Sequence, residues 1–197
     1  ANSRNLPRVI FINKMNDDTA DFDKIYNELK SVLGRPCVAL QLPIRKNNKL
    51  VGIVDGITMK ARMFDQNGNL IDCEMPEELK SRAEEINNNL SEIVAETDDA
   101  LMEKFFGGEK FTKEEIIKGL KIAINNCTCA PVLLGSAYEN IGVKKLMDFV
   151  VDYMPSPLER TVLDYTDAAG EKKQMKPDPN GHPTLFVYRY SVSVLAP

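Results

Sequence analysis

Two segments of this chain obey the same rule, and together they constrain the fold more than any other feature. Val9-Ile-Phe-Ile12 stops abruptly at the polar turn Asn13-Lys-Met-Asn16, and Pro131-Val-Leu-Leu134 stops at Gly135-Ser-Ala137. Short apolar runs without polar alternation are the pattern of strands buried on both faces, as in parallel sheets. A helical pattern follows each turn. After the first, Asp17 or Asp18 can cap a helix carrying Phe22, Ile25, Leu29 and Val32 at helical spacing, with Gly34 placed to end it. After the second, Val143, Leu146, Met147 and Val150 form a helical stripe, with Pro155 and Pro157 beyond it. Strand, turn and helix repeated in this way place both turns at strand carboxyl ends, where open α/β sheets gather their ligands. Neighbouring parallel strands would bring Asn13–Asn16 and Ser136–Ala137 over one ligand.

The 120 positions from Asn16 to Ser136 hold more than one crossover helix. The chain reads as extended from Pro36 to Ile44, turns through the polar Arg45–Lys49, and continues extended over Leu50–Val54. Ile57, Met59, Ala61 and Met63 then alternate with more polar neighbours like a half-buried strand, and Asp65-Gln-Asn-Gly68 is a hairpin turn before Leu70–Glu74. Helices follow. Pro76 suits a first helical position ahead of Leu79, Ala83, Ile86, Leu90, Ile93 and Val94. Asp98 or Asp99 opens a short helix that Gly107-Gly108 closes, and Thr112-Lys-Glu-Glu115 has capping-box spacing ahead of Ile116, Leu120, Ala123 and Ile124. These stripes read as core packing. The expected organisation is a parallel-sheet part over residues 1–35 and 130–157, an inserted α+β part over 36–129, a turn-rich linker over 158–183, and a new strand from Thr184 to Tyr190 within 184–197.

Composition removes several function classes. With 43% hydrophobic residues, 27% charged and no apolar run of bilayer length, the 197 residues read as a soluble globular protein. The first residues, A-N-S-R-N-L-P-R, lack the apolar core of a signal peptide, so the expected location is the cytoplasm. Cys127-x-Cys129 has no second pair and the one histidine, His182, is distant, so the four cysteines read as buried reduced thiols. With one histidine and no G-x-S-x-G, the familiar hydrolase constellations lack parts. From Glu74 to Glu115 there are 13 acidic and 5 basic side chains. Such a surface repels nucleic-acid phosphate, which argues against DNA as a partner. The run is either a contact for a protein with a basic patch or a solvated helical face.

The ordered motifs F-I-N-K-M, A-D-F-D-K, Q-L-P-I, G-I-V-D, L-M-E-K-F-F-G-G-E, G-S-A and V-D-Y-M-P-S-P, between about Leu6 and Pro157, resemble bacterial translation elongation factor G. An elongation-factor-G-like paralogue shares the signature. The resemblance implies an α/β fold: the distal half of a P-loop GTPase parallel sheet, an inserted subdomain of antiparallel strands plus helices, and the first strand of a following β-barrel. It implies a parent protein that uses GTP hydrolysis to drive ribosomal translocation and helps split ribosomes after termination. GTP or GDP is the implied cofactor, with Mg²⁺ in the parent protein, and no membrane is involved. The implied partners are the ribosome and its stalk protein, docking on the inserted subdomain, where Glu84, Glu85 and Glu92 are the candidate contacts.

The resemblance also implies residue roles. Asn13 would buttress its loop and meet the base N7, Lys14 would lay its stem along the base plane, Ser136 would support the loop from below, and the Ala137 backbone N–H would donate to guanine O6. Asn16 stands where the family has an Asp that accepts from the ring N–H and exocyclic amine together. An amide turns its oxygen to only one of those donors, so a charge-assisted pair worth roughly 1.5–3 kcal/mol per bond becomes at best one neutral bond. Weakened guanine selectivity is expected, with a shift toward a base carrying an acceptor in place of the amine; the alternative is that Asn16 only caps a turn. No G-x-x-x-x-G-K-[ST] occurs in the sequence. The expectation is therefore an excised piece of a larger factor, without catalytic residues or metal ligands, that binds nucleotide weakly. Its parallel strands would present open edges that invite self-association, and its inserted subdomain would be the more ordered part. Ser191–Pro197 departs from the family pattern.

Overall fold

The computed structural model describes residues 6–33, 37–159, 163–167 and 169–181. They fall into two compact units, Ala1–Met154 and Pro155–Pro197. In chain order the first unit contains β1 (Ile10–Ile12), α1 (Phe22–Leu33), β2 (Cys37–Ala39), β3 (Gln41–Lys46), β4 (Lys49–Asp55), β5 (Lys60–Phe64), β6 (Leu70–Cys73), α2 (Glu77–Ala95), α3 (Asp99–Phe106), α4 (Lys113–Asn125), β7 (Ala130–Leu134) and α5 (Val143–Tyr153).

Strands β1, β7 and β2 form a parallel sheet in that order, with Ile12 opposite Leu134 and Ala39 opposite Val132. All five β7 residues are buried, as an unalternating apolar run requires. The strand period of two sends neighbours to different cores. Val132 and Leu134 join Ile12, Ala39 and Phe22 with Leu42, Ile53 and Val54, whereas Leu133 and Val38 join Leu90, Val94, Leu120, Ile124 and Phe149. The second sheet, β3-β4-β5-β6, is antiparallel throughout. The two sheets are joined by Gln41, 2% exposed, whose Oε1 accepts from the Leu134 N–H at 3.1 Å. Asp55, at the end of β4, accepts from the Ile57 and Thr58 N–H groups at 3.0 Å and pairs with Lys145 of α5 at 3.2 Å.

The mixed α/β architecture matches the sequence reading, with several local corrections. The extended segment expected over 36–44 is two strands in two sheets; Cys37–Ala39 is the third parallel strand, and Gln41 begins the antiparallel sheet. Arg45 and Lys46 belong to β3, and the turn is Asn47-Asn48, both with positive φ (51° and 62°), as tight hairpins demand. Residues 56–59 form a turn, so the strand expected from Ile57 starts at Lys60. The N-terminus of α1 is served by Asp21, whose Oδ1 accepts from the Lys24 N–H at 3.1 Å, while Asp17 accepts from Thr19. Val32 is 79% exposed, and so are Met147 (64%) and Val150 (45%) on α5. There the buried stripe is Phe149 with the partly buried Leu146 and Tyr153, because the same helical spacing offers two larger aromatic faces to the core. Cys73, on the outer strand β6, is exposed, unlike the other three cysteines.

The capping box has both of its bonds, Thr112 Oγ1 accepting from the Glu115 N–H and Glu115 Oε2 from the Thr112 N–H. Gly34 and the strand expected over 184–190 lie outside the described residues. The second unit holds a short 3-10 turn, Pro157–Glu159, and an antiparallel hairpin of β8 (Leu163–Thr166) and β9 (Lys172–Met175) within the expected linker. No described helix is long and apolar enough to cross a membrane.

Candidate functional site

Register fixes the site. Because Ile12 pairs with Leu134, the turns that follow β1 and β7 leave the sheet side by side. Their backbones bond directly: the Gly135 N–H donates to Ile12 O and the Met15 N–H to Gly135 O, each at 3.0 Å. Gly135 has no room for a side chain, since a Cβ there would lie 2.3 Å from Ile141 O and 2.7 Å from the Phe11 ring. Met15 is fully buried and anchors the first turn, whereas Asn13 and Lys14 are exposed. Lys14 has φ of 60°, a left-handed conformation that reverses the chain between them.

Both asparagines reach across to the second turn. Asn13 Oδ1 accepts from the Ala137 N–H at 2.9 Å, which leaves Asn13 Nδ2 as a donor that no described residue engages. Asn16 Oδ1 accepts from Ser136 Oγ at 2.8 Å, and Asn16 Nδ2 donates to Glu139 Oε1 at 3.5 Å. Ser136, 1% exposed, has its hydroxyl oxygen accept in turn from the Glu139 N–H at 3.3 Å. All five expected site residues, Asn13, Lys14, Asn16, Ser136 and Ala137, thus sit on the paired turns, four of them linked by hydrogen bonds. The Ala137 N–H, expected to meet a base oxygen, is engaged by Asn13 instead.

Arg45 gives the site a support that the sequence did not suggest. Its guanidinium donates to Asp17 O (2.6 Å), Met15 O (3.3 Å), Asn48 O (2.6 Å) and Ala20 O, so one side chain of β3 gathers the chain that follows Asn13 and Lys14. The expected polar turn hid this role, because three of its four carbonyl partners lie 25 to 30 residues away. Asp17 titrates below the usual aspartate range, chiefly through its bonds from the Thr19 hydroxyl and N–H, with Lys14 and Arg45 adding positive charge.

Other features lie apart from the turns. A cavity of about 210 Å³ is lined by Asp55, Arg62, Lys145 and Tyr153, and by none of the turn residues. Burial, with the charges of Asp55 and Asp152, pushes the Tyr153 phenol up to about 12. Glu84, Glu85 and Glu92 project into solvent from α2, and none forms an ion pair among the described residues. Among the described residues no three His, Cys, Asp or Glu side chains are placed to hold a metal ion.

Over residues 1–156 the sequence matches the elongation factor Tu GTP binding domain family. The crystal structure of a protein from Thermus thermophilus aligns with a TM-score of 0.73 at 32% identity, over 81% of this chain and 24% of that one. This chain thus spans 24% of the length of that relative. A match that runs through both turns and the sheet that pairs them shows that the chain belongs to the elongation factor Tu GTP-binding domain family of translation elongation factors.

Proposed function

We propose that this chain carries the guanine-base-reading loops of a translational GTPase of the elongation factor G kind, whose parent protein drives ribosomal translocation in the cytoplasm. The observation that carries the reading is the pair of side-chain bonds between the turns, Asn13 to the Ala137 N–H and Asn16 to Ser136 Oγ. They hold two exposed loops in one fixed relation at the carboxyl ends of adjacent parallel strands. A purine bound there would find Asn13 Nδ2 as a donor for N7 and the Lys14 stem along its face. The Ala137 N–H would reach O6 by sharing its hydrogen with Asn13 Oδ1.

Phosphate handling belongs elsewhere in the parent protein. The 197 residues contain no phosphate-binding loop motif, and without those contacts and Mg²⁺ a base site alone binds weakly. No hydrolytic residue is assigned to this chain. Calorimetric titration with GDP, with and without Mg²⁺, tests the reading: weak binding indifferent to Mg²⁺ is expected. An affinity of about 1 μM or tighter overturns the assignment of phosphate contacts to other parts of the protein. Backbone amide shifts confined to Asn13–Asn16 and Ser136–Asn140, lost in Asn13→Ala, are the expected sign of base binding, and a diffuse pattern overturns it.

A second reading concerns docking. The exposed, unpaired Glu84, Glu85 and Glu92 on α2 favour a basic partner, which in the ribosome would be the stalk protein. Charge reversal at all three should weaken binding of the stalk protein's C-terminal domain; unchanged affinity removes the reading. The outer position of β1 in the parallel sheet favours self-association through that edge, whereas on β2 the outward-facing Cys37 O and Ala39 N–H are taken by the Tyr26 hydroxyl. Sedimentation that stays monomeric as concentration rises argues against it.

A further inference from the structure

Asn16 is held at both ends of its amide, which leaves a base one oxygen lone pair and one N–H. Its oxygen is taken by the Ser136 hydroxyl at 2.8 Å, and its nitrogen points to Glu139 Oε1 at 3.5 Å, the far limit of a hydrogen bond. Glu139 is differently placed. Its N–H is tied to Ser136 Oγ at 3.3 Å, so its backbone is held by the same hydroxyl that holds Asn16. Its side chain is exposed, forms no salt bridge among the described residues, and has its carboxylate beside the Asn16 amide. A carboxylate accepts two parallel N–H groups at once, which an amide cannot do.

We propose that Glu139 is the specificity-determining residue of the base site: its carboxylate, reaching past Asn16, receives the ring N–H and exocyclic amine of guanine. This rests on the base-reading function proposed above. The weak Asn16–Glu139 bond is the rest position of the carboxylate, and a guanine edge with two donors displaces it. Hypoxanthine offers one of those donors, and xanthine presents an oxygen where guanine has the amine. The site therefore ranks guanine above hypoxanthine and xanthine while Glu139 is present. Without it, the Asn16 amide is left to pair its NH₂ with an acceptor, and the preference moves toward xanthine.

The test is an NMR titration of the 197-residue chain with GMP, IMP and XMP, following the amides of Asn13–Asn16 and Ser136–Asn140. Glu139→Gln should lower the GMP-to-IMP affinity ratio by about tenfold, the loss of one charge-assisted bond, and raise XMP relative to GMP. Asn16→Asp added to Glu139→Gln should restore the ratio by supplying a carboxylate at the neighbouring position. If Glu139→Gln leaves the ratio within about twofold while Asn13→Ala weakens all three nucleotides, the role of Glu139 is overturned and the base site stands. If no nucleotide shifts these amides, or Asn13→Ala changes nothing, the base site falls and the role of Glu139 with it.

Discussion

Arg45→Met removes every donor from the cluster beneath the first turn while keeping a long apolar stem. In the wild-type protein the guanidinium serves four carbonyls, and its contacts with Met15 O and Ala20 O are part-buried, whereas those with Asp17 O and Asn48 O are exposed. Exposed carbonyls recover water and cost little. The two part-buried ones each lose a charge-assisted bond worth about 1.5 kcal/mol at the low end, so the substitution should cost about 3 kcal/mol. Arg45→Lys should recover about half, because one ammonium cannot span the carbonyls that a planar fork reaches. Urea unfolding of the 197-residue chain measures the stability change, and amide hydrogen exchange localises it. The Asp17 and Ala20 amides, bonded to Lys14 O at 3.0 Å and Asp17 O at 3.1 Å, should lose protection before the parallel sheet does. A cost under about 0.5 kcal/mol with unchanged exchange over Met15–Ala20 would refute the claim that Arg45 organises the turn.

Other outcomes follow from particular contacts. The Lys104 ammonium and the Thr112 N–H hold the Glu115 carboxyl below the usual glutamate range. A depressed folded pKa means stability present above the unfolded value and lost as pH falls through the folded one, so the stability gap between wild type and Glu115→Gln should close below about pH 4. Burial raises the Cys37 thiol and, with Cys37 adding, lifts Cys129 to about 12, whereas Cys73 is exposed. Iodoacetamide at mildly alkaline pH should modify Cys73 well before Cys37 or Cys129, and rapid labelling of Cys129 in the native protein contradicts its burial. Leu90→Ala, at a fully buried position on α2, should cost about 2–5 kcal/mol in urea unfolding. Gly135→Ala should destabilise the protein and disturb the amide signals of Ser136–Ile141, since its Cβ would lie 2.3 Å from the Ile141 backbone oxygen and 2.7 Å from the Phe11 ring; a native spectrum with unchanged stability contradicts the close approach.

What could be read from the sequence was local. The capping box at Thr112–Glu115 closes within four residues, and the apolar runs ending at Asn13 and Gly135 carry both strand and turn in one short stretch. Those signals need no knowledge of distant partners. The division of Pro36–Ile44 was hidden because every residue from Cys37 to Leu42 is buried, and only the pairing of Cys37–Ala39 with β7 and of Gln41–Lys46 with β4 separates the two strands. The face of α5 was misread for a related reason. Leu146 serves both the Val143–Val150 stripe and the Phe149–Tyr153 stripe, and helical spacing alone does not choose between them. The turns that carry the five proposed site residues were legible from the apolar runs that end there, while the roles of those residues come from the resemblance to elongation factor G. Arg45 was not, because its partners are backbone carbonyls, which leave no mark in a sequence.

The same strand makes the antiparallel sheet part of the site. Gln41 at one end of β3 bonds the N–H of Leu134, the last residue before the Gly135 turn, and Arg45 near the other end gathers the carbonyls of Met15, Asp17 and Ala20. The Leu134 N–H is buried and the Met15 and Ala20 carbonyls are part-buried, so losing either side chain leaves polar groups unpaired where water is scarce. The two turns are thus held by three layers of contact: strand register, the asparagine bonds between turns, and the grip of β3 from beneath. In the proposed base site, only the second would meet a ligand directly. The first and third set how closely Asn13 and Ala137 keep their 2.9 Å bond, and therefore how much ordering is left for a bound base to supply.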